Sequence, residues 1–175
     1  MPGARTHDFI TLATAAAGTP VALWAGIPAG EVGALIGAYV FSGFFFSPDL
    51  DLHSAPYMRW RMFRSLWLPY QIAVHHRSRV SHSLLLGPLL RILYFVVVLY
   101  LLGLLALALL NILVPIDPTG TMWQLARMLS AYVQLHPVIV LYGLLGFIGS
   151  GAVHVIADVI YSGRKRWRRV IRRML

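Results

Sequence analysis

The stretch from Leu84 to Val114 carries one charged residue, Arg91, and it limits this chain more than any other feature. A helix needs about 20 mostly apolar residues to cross the hydrocarbon of a bilayer, and this run exceeds that length. Its first turns are therefore placed at the interface and the span at about 92–114. Three further stretches have the same character. One covers about 9–27 and is broken by Gly18, Pro20 and Gly26. A second covers about 32–47 and ends in Phe44-Phe45-Phe46. A third covers about 137–161, with Gly143, Gly146, Gly149 and Gly151 at intervals that suit close helix approach. The expected fold is an all-α integral membrane protein: a single membrane domain over 1–175 with about four transmembrane helices plus interfacial amphipathic helices. An alternative pairs the first two, marginal stretches as a re-entrant hairpin. Composition agrees, since 58% hydrophobic against 12% charged is far from a soluble domain.

Two segments read as amphipathic rather than spanning. Residues 57–74 interleave Arg59, Arg61 and Arg64 with Trp60, Trp67 and Tyr70, a mixture suited to headgroup depth. Residues 121–135 read as a surface helix at the opposite side. With four spans, fourteen of the fifteen Lys and Arg residues fall on one side, and only Arg127 falls on the other. Positive-inside bias then puts both termini and the 48–83 loop in the cytoplasm, with 162–175 as a basic cytoplasmic tail. The expected location is a bacterial inner or thylakoid membrane. The net charge of +9 is assigned to anionic lipid headgroups, and no nucleic-acid partner is expected. There is no cysteine, which excludes disulfides, thiolate nucleophiles and Cys-ligated metal sites.

The polar residues are the part that a plain bundle does not require. Ser47 to His53 reads Ser-Pro-Asp-Leu-Asp-Leu-His, and in an extended chain Asp49, Asp51 and His53 would share one face. Taken alone the segment is a solvated turn. On the expected topology it shares one membrane surface with His7, with His75, His76 and His82, and with the His154/Asp158 pair. That pair stands four residues apart on one helix face. An acid within a span costs roughly 2.5–3.5 kcal/mol when central, so it usually faces the bundle interior and has a partner. A helix-stabilising His–Asp hydrogen bond and metal ligation both fit the pair; the neighbouring clusters favour ligation. On a helix His75 and His82 nearly eclipse, with Arg79 between them, and His76 turns away. Arg77 or Arg79 is the candidate to hold a substrate anion, because the planar guanidinium pairs with phosphate. Mixed His and Asp ligation without thiolate fits one or two divalent ions, Zn, Mn or Fe.

Four motifs in order carry a resemblance over nearly the whole chain. They are the opening Met-Pro-x-x-Arg-Thr-His-Asp, Ser-Pro-Asp-Leu-Asp after an apolar run, His-Arg-x-x-x-Ser-His-Ser before the next, and His-x-x-x-Asp late in the sequence. The pattern resembles a cyanobacterial family of metal-binding membrane proteins of unknown function, related to the YdjM-like predicted membrane-bound metal-dependent hydrolases. The resemblance implies metal binding by His7, Asp49, Asp51, His76, His82, His154 and Asp158. The chain departs from the YdjM-like pattern at Arg77-Ser78-Arg79-Val80, where Arg-Gly-x-Thr is usual. Two functional readings follow. One is a metal-dependent hydrolase acting on a phosphoester or lipid-linked substrate at the cytoplasmic face. The other is a metal-stabilised accessory subunit with membrane-protein partners. The residues themselves do not decide whether the site is catalytic.

Overall fold

The computed structural model describes residues 3–74 and 83–174, with the backbone alone from 164 onward, and the described residues are helical without a strand. Among the described residues seven α-helices follow one another: α1 Ala4–Trp24, α2 Ala29–Phe45, α3 Ala55–Arg59, α4 Leu68–Ala73, α5 Leu86–Leu110, α6 Pro118–Leu135 and α7 Pro137–Met174. Two 3-10 segments, Pro48–Asp51 and Arg61–Trp67, link α2 to α3 and α3 to α4.

Among the described residues three segments are long and apolar enough to cross a membrane: Ala29–Asp51, Leu86–Leu110 and Pro137–Gly163. Helix α1, expected as the first of four spans, is not one of them. It has the length, but Arg5, Thr6, His7 and Asp8 at its start and Thr11, Thr14 and Thr19 along it dilute its apolar character. One expected boundary also shifts. The third apolar run is helical from Leu86 and stops at Leu110, where Asn111 Oδ1 accepts the Ile116 backbone N–H at 2.8 Å ahead of Pro118. The last apolar segment, Pro137–Gly163, lies close to the expected 137–161, and α7 continues beyond it through the basic tail to Met174. Arg and Lys are good helix formers and the segment has no proline. At 1.5 Å per residue α7 is about 57 Å long.

Helices α1, α2 and α7 form the packed unit. Gly26, at φ 79°, turns the chain between α1 and α2, a conformation that glycine adopts without steric cost. Thr14 Oγ1 and Tyr39 Oη then share a hydrogen bond of 2.6 Å across the pair. The α2–α7 contact is closer. A Cβ on Gly146 would lie 2.0 Å from the Leu35 carbonyl oxygen, and Ser42 Oγ donates to the Phe147 carbonyl at 2.9 Å. Gly43 sits where the three helices meet, because a Cβ there would reach Thr11 of α1 and Ser150 of α7 within 3 Å. Small residues allow this approach, and it brings their interhelical hydrogen bonds within reach.

Residues 46–74 fold back over one end of this unit. Phe46, Leu50, Tyr57, Trp67, Tyr70 and Phe147 form the buried core there. Phe46 meets Trp60, Trp67, Phe95 and Phe147 edge-on, the geometry that aromatic quadrupoles prefer. Trp67 and Tyr70, expected at headgroup depth, are instead 1% and 2% exposed. The chain breaks into short helices that turn those rings inward, and Tyr94 Oη ties α5 to this cap by donating to the Leu66 carbonyl. Helix α6 runs beside α5, buries no residue and starts at Asp117, whose side chain accepts from Thr119 N, a usual N-cap.

Replacing Gly146 with alanine should lower stability by about 1–3 kcal/mol, the usual cost of forcing atoms into a close-packed contact. Gly143→Ala, whose Cβ would meet nothing within 4 Å, should leave it unchanged. Thermal unfolding of the two variants in detergent checks this; equal melting temperatures would refute the close contact.

Candidate metal centre

The site is assembled from three chain segments at the capped end. His7 lies in the first turns of α1, Asp49 in the Pro48–Asp51 3-10 turn, and His154 and Asp158 one turn apart on α7. His7 Nε2 is 3.2 Å from Asp158 Oδ1. His154 Nε2 is 3.8 Å from Asp158 Oδ2 and 3.5 Å from Asp49 Oδ2. The two imidazoles stack, with ring centroids 3.8 Å apart and planes 15° from parallel. His154 and Asp158 are buried, at 8% and 9% exposure.

These atoms are crowded together and satisfy one another only in part. His7 Nε2, His154 Nε2 and both Asp158 carboxylate oxygens are buried and, apart from the ion pairs among them, have no hydrogen-bond partner. Buried polar groups are nearly always paired, and leaving one unmade costs about 1–3 kcal/mol. Four such atoms converging from two helices suit a cation. The spacing agrees: ligands about 2.0–2.1 Å from a tetrahedral zinc stand about 3.3 Å from one another. His7, His154 and Asp158 form a group able to hold a metal ion, and Asp49 borders it through its contact with His154. Burial, and next the stacked His154 ring, push the His7 imidazole below its ordinary pKa of 6.5, against the opposing pull of Asp158 and Asp49. A neutral imidazole is the form that ligates.

A second device sets the position of His7. Arg59 donates from one guanidinium nitrogen to Asp8 and from the other to the Phe44 carbonyl at 3.0 Å, and its guanidinium lies 4.8 Å from the centre of the Phe44 ring. The clasp ties the start of α1 to the end of α2. Arg59 had been expected at lipid headgroups; its partner Asp8, next to His7, was the signal available in the sequence. Beside the clasp is a cavity of about 150 Å³, lined by His7, Asp8, Ser47, Asp49, Ser54 and His154 among others. It gives the site open space next to the candidate ligands.

The structure thus brings together His7, Asp49, His154 and Asp158. Asp51 is buried at 5% exposure, on the side of the turn that faces Tyr70 and Arg91. In a 3-10 turn of three residues per turn, positions two apart diverge, so the shared face expected for Asp49, Asp51 and His53 is absent. His53 packs edge-on against Tyr57. His76, His82, Arg77 and Arg79 lie outside the described residues. The residue that sequence reasoning passed over is Arg91, counted for topology alone. It is 1% exposed inside an apolar helix, and Nε and Nη1 have no hydrogen-bond partner. Its isolation in an otherwise uncharged run could have singled it out.

One similar protein is an uncharacterized protein of Aquifex aeolicus (strain VF5), 42% identical over 57 residues, which is 32% of this chain and 40% of that protein. The match thus spans less than half of that relative. No solved structure matches. Residues 2–168, nearly the full length, match the family described as uncharacterized metal-binding protein (DUF2227). With the buried His7/His154/Asp158 group at the end of the bundle, this chain belongs to that family of uncharacterized metal-binding proteins.

Proposed function

We propose that this chain is an integral membrane protein, related to the YdjM-like hydrolases, that holds a divalent cation and hydrolyses a phosphoester or lipid-linked bond at the cytoplasmic membrane face. The observation that carries the metal is the convergence of four buried donor atoms of His7, His154 and Asp158 at ligand-to-ligand spacing. The cavity beside them supports the catalytic reading, since a catalytic centre keeps an open position and a structural one is closed. His7 and His154 would offer Nε2 lone pairs, and Asp158 a carboxylate between them. Arg59, through Asp8, would keep His7 facing α7. When bound, the cation would supply Lewis acidity and an activated water. Asp49 and Ser47, at the cavity wall, are placed to orient that water and the substrate. Zn, Mn and Fe all suit this donor set. Four spans with both termini cytoplasmic agree with the distribution of Lys and Arg.

Elemental analysis of the detergent-purified protein should find Zn, Mn or Fe, and the pair His154→Ala plus Asp158→Ala should lose it. Equal content in both, or none in either, would refute the centre. Metal bound without turnover of any phosphoester tested would leave a structural metal in an accessory subunit. A reporter fused to the C-terminus should report the cytoplasm.

Arg59→Met should weaken metal binding on the order of tenfold while the α2–α7 contact persists, because removing a group that orients a ligand typically costs about 10–100-fold in affinity. Competition with a chelating dye measures it, and unchanged affinity would remove Arg59 from this role.

The metal-free protein should also lose stability in acid. His7 binds fewer protons when folded than when unfolded, so its contribution is full above the ordinary value of 6.5 and disappears as pH falls through the lower, folded value. Melting temperatures at a series of pH values below 7 should fall less steeply for His7→Asn than for the unsubstituted chain. Identical slopes would contradict it.

A further inference from the structure

Arg91 is the group that the proposed chemistry does not use. Among fully buried side chains it is one of the largest, and it sits in the second turn of the apolar helix α5. A buried cation there is expensive, and an ionisable residue at such a position ordinarily serves a ligand or a partner. The groups that face it are Tyr70, then Asp51 and Asp49. Those carboxylates offset its charge, yet two of its nitrogens, Nε and Nη1, have no hydrogen-bond partner; nor has the buried Tyr70 hydroxyl. Donors on two neighbouring side chains, one of them a guanidinium, are thus left without acceptors, a match for an oxyanion.

The surroundings of Arg91 are amphiphilic along a single direction. Across from it α7 presents Gly151, where a Cβ would stand 3.8 Å from Arg91 Nη2 and 3.3 Å from Pro88. The same face of α7 continues away from the metal centre through Phe147, Leu144, Gly143 and Val140. With Ile92, Phe95 and Val96 of α5 and Phe41 and Phe46 of α2, these residues line an apolar groove of about 320 Å³. Phe95 and Phe147 stand one helical turn on from Arg91 and Gly151, so the groove begins one turn beyond Arg91 along α5 and α7. An anionic head with an apolar chain extending toward the bilayer centre has this arrangement.

We propose that Arg91 and Tyr70 bind the terminal phosphate of a phosphomonoester lipid, with one acyl chain of that lipid in the groove between α2, α5 and α7. The proposal rests on the membrane and metal-centre reading above and names the substrate class of that site. Binding here would hold the headgroup beside Asp49 and Asp51, at the same end of the bundle as His154. Free phosphate shares the head chemistry but has nothing to place in the groove.

The test is titration of the detergent-purified protein with phosphatidic acid, phosphatidylcholine or inorganic phosphate, read by native mass spectrometry, with metal content measured on the same samples. Phosphatidic acid should bind at least tenfold tighter than phosphatidylcholine, and equimolar inorganic phosphate should not displace it. Arg91→Met should lower phosphatidic acid affinity at least tenfold, and Arg91→Lys should restore part of it. Gly143→Leu, whose Cβ meets nothing within 4 Å, fills the groove and should also weaken phosphatidic acid at least tenfold without changing metal content. If Arg91→Met does not fold, Arg91→Lys and Gly143→Leu carry the test. Equal binding of the two lipids, or phosphatidic acid binding unaffected by Gly143→Leu, would overturn the proposal. So would an Arg91-dependent phosphate site indifferent to Gly143→Leu, which would make free phosphate the ligand. Selective phosphatidic acid binding in protein that takes up no metal would support this inference and sink the metal-centre reading.

Discussion

The contact of α2 with α7 at Leu35 and Gly146 is the constraint on which the other parts depend. Backbones meet there so closely that no side chain fits between them, and Ser42 adds a hydrogen bond to the α7 backbone one residue further on. Because the two helices are locked together in register, the end of α2 delivers the Pro48–Asp51 turn to a fixed height on α7. That height is the turn carrying His154 and Asp158. Gly43 extends the same logic to α1, bringing Thr11 against Ser150 and so His7, one turn earlier, against Asp158. A bulkier residue at Gly146 would act on the site without touching it, whereas one at Gly43 would also reach the cavity beside the site.

The aromatic cap serves a different purpose. Phe46, Trp60, Trp67 and Phe95 bury the return of the chain after α2. Short helices here place polar groups against the end of an apolar bundle: Arg59 reaches Asp8, and Gln71 Nε2 donates to the carbonyls of Leu50 and Leu52 at 3.0 and 3.1 Å. The acidic turn is thereby held from both sides. Two polar compartments result on the two sides of that turn. One faces His7, His154 and Asp158; the other faces Tyr70 and Arg91. Unmet hydrogen-bonding capacity in both is the physical ground for reading them as binding sites rather than as packing accidents.

Much of the fold was legible because uninterrupted apolar runs of this length are too long for strands and have few alternatives to long helices. Residues 137–161 and 84–114 announced themselves in that way. Helix α1 was less legible, since threonine, glycine and histidine dilute the signal while its packing face still docks on α2. The His154/Asp158 pair could be read from a four-residue spacing, because helical geometry makes that spacing a contact. The alternation of Asp49, Asp51 and His53 misled, because Pro48 starts a 3-10 turn and not an extended strand. Trp67 and Tyr70 misled for a related reason: interleaved arginines and aromatics describe a headgroup-level surface and a folded-back cap equally well.

By itself, then, the sequence determined the class of the fold, the helical runs and the candidate ligand types, since all three depend on local composition and on spacing within one helix. Tertiary structure alone decided which candidates meet. The distances from His7 to Asp158 and from Asp49 to His154 span 151 and 105 positions of chain, and no local rule governs them. It also decided that Arg59 is a clasp and that Arg91 is enclosed, because burial of a charge depends on what packs over it. The Ser-Pro-Asp-Leu-Asp turn became part of a candidate centre only when close-packed glycines brought α7 alongside it.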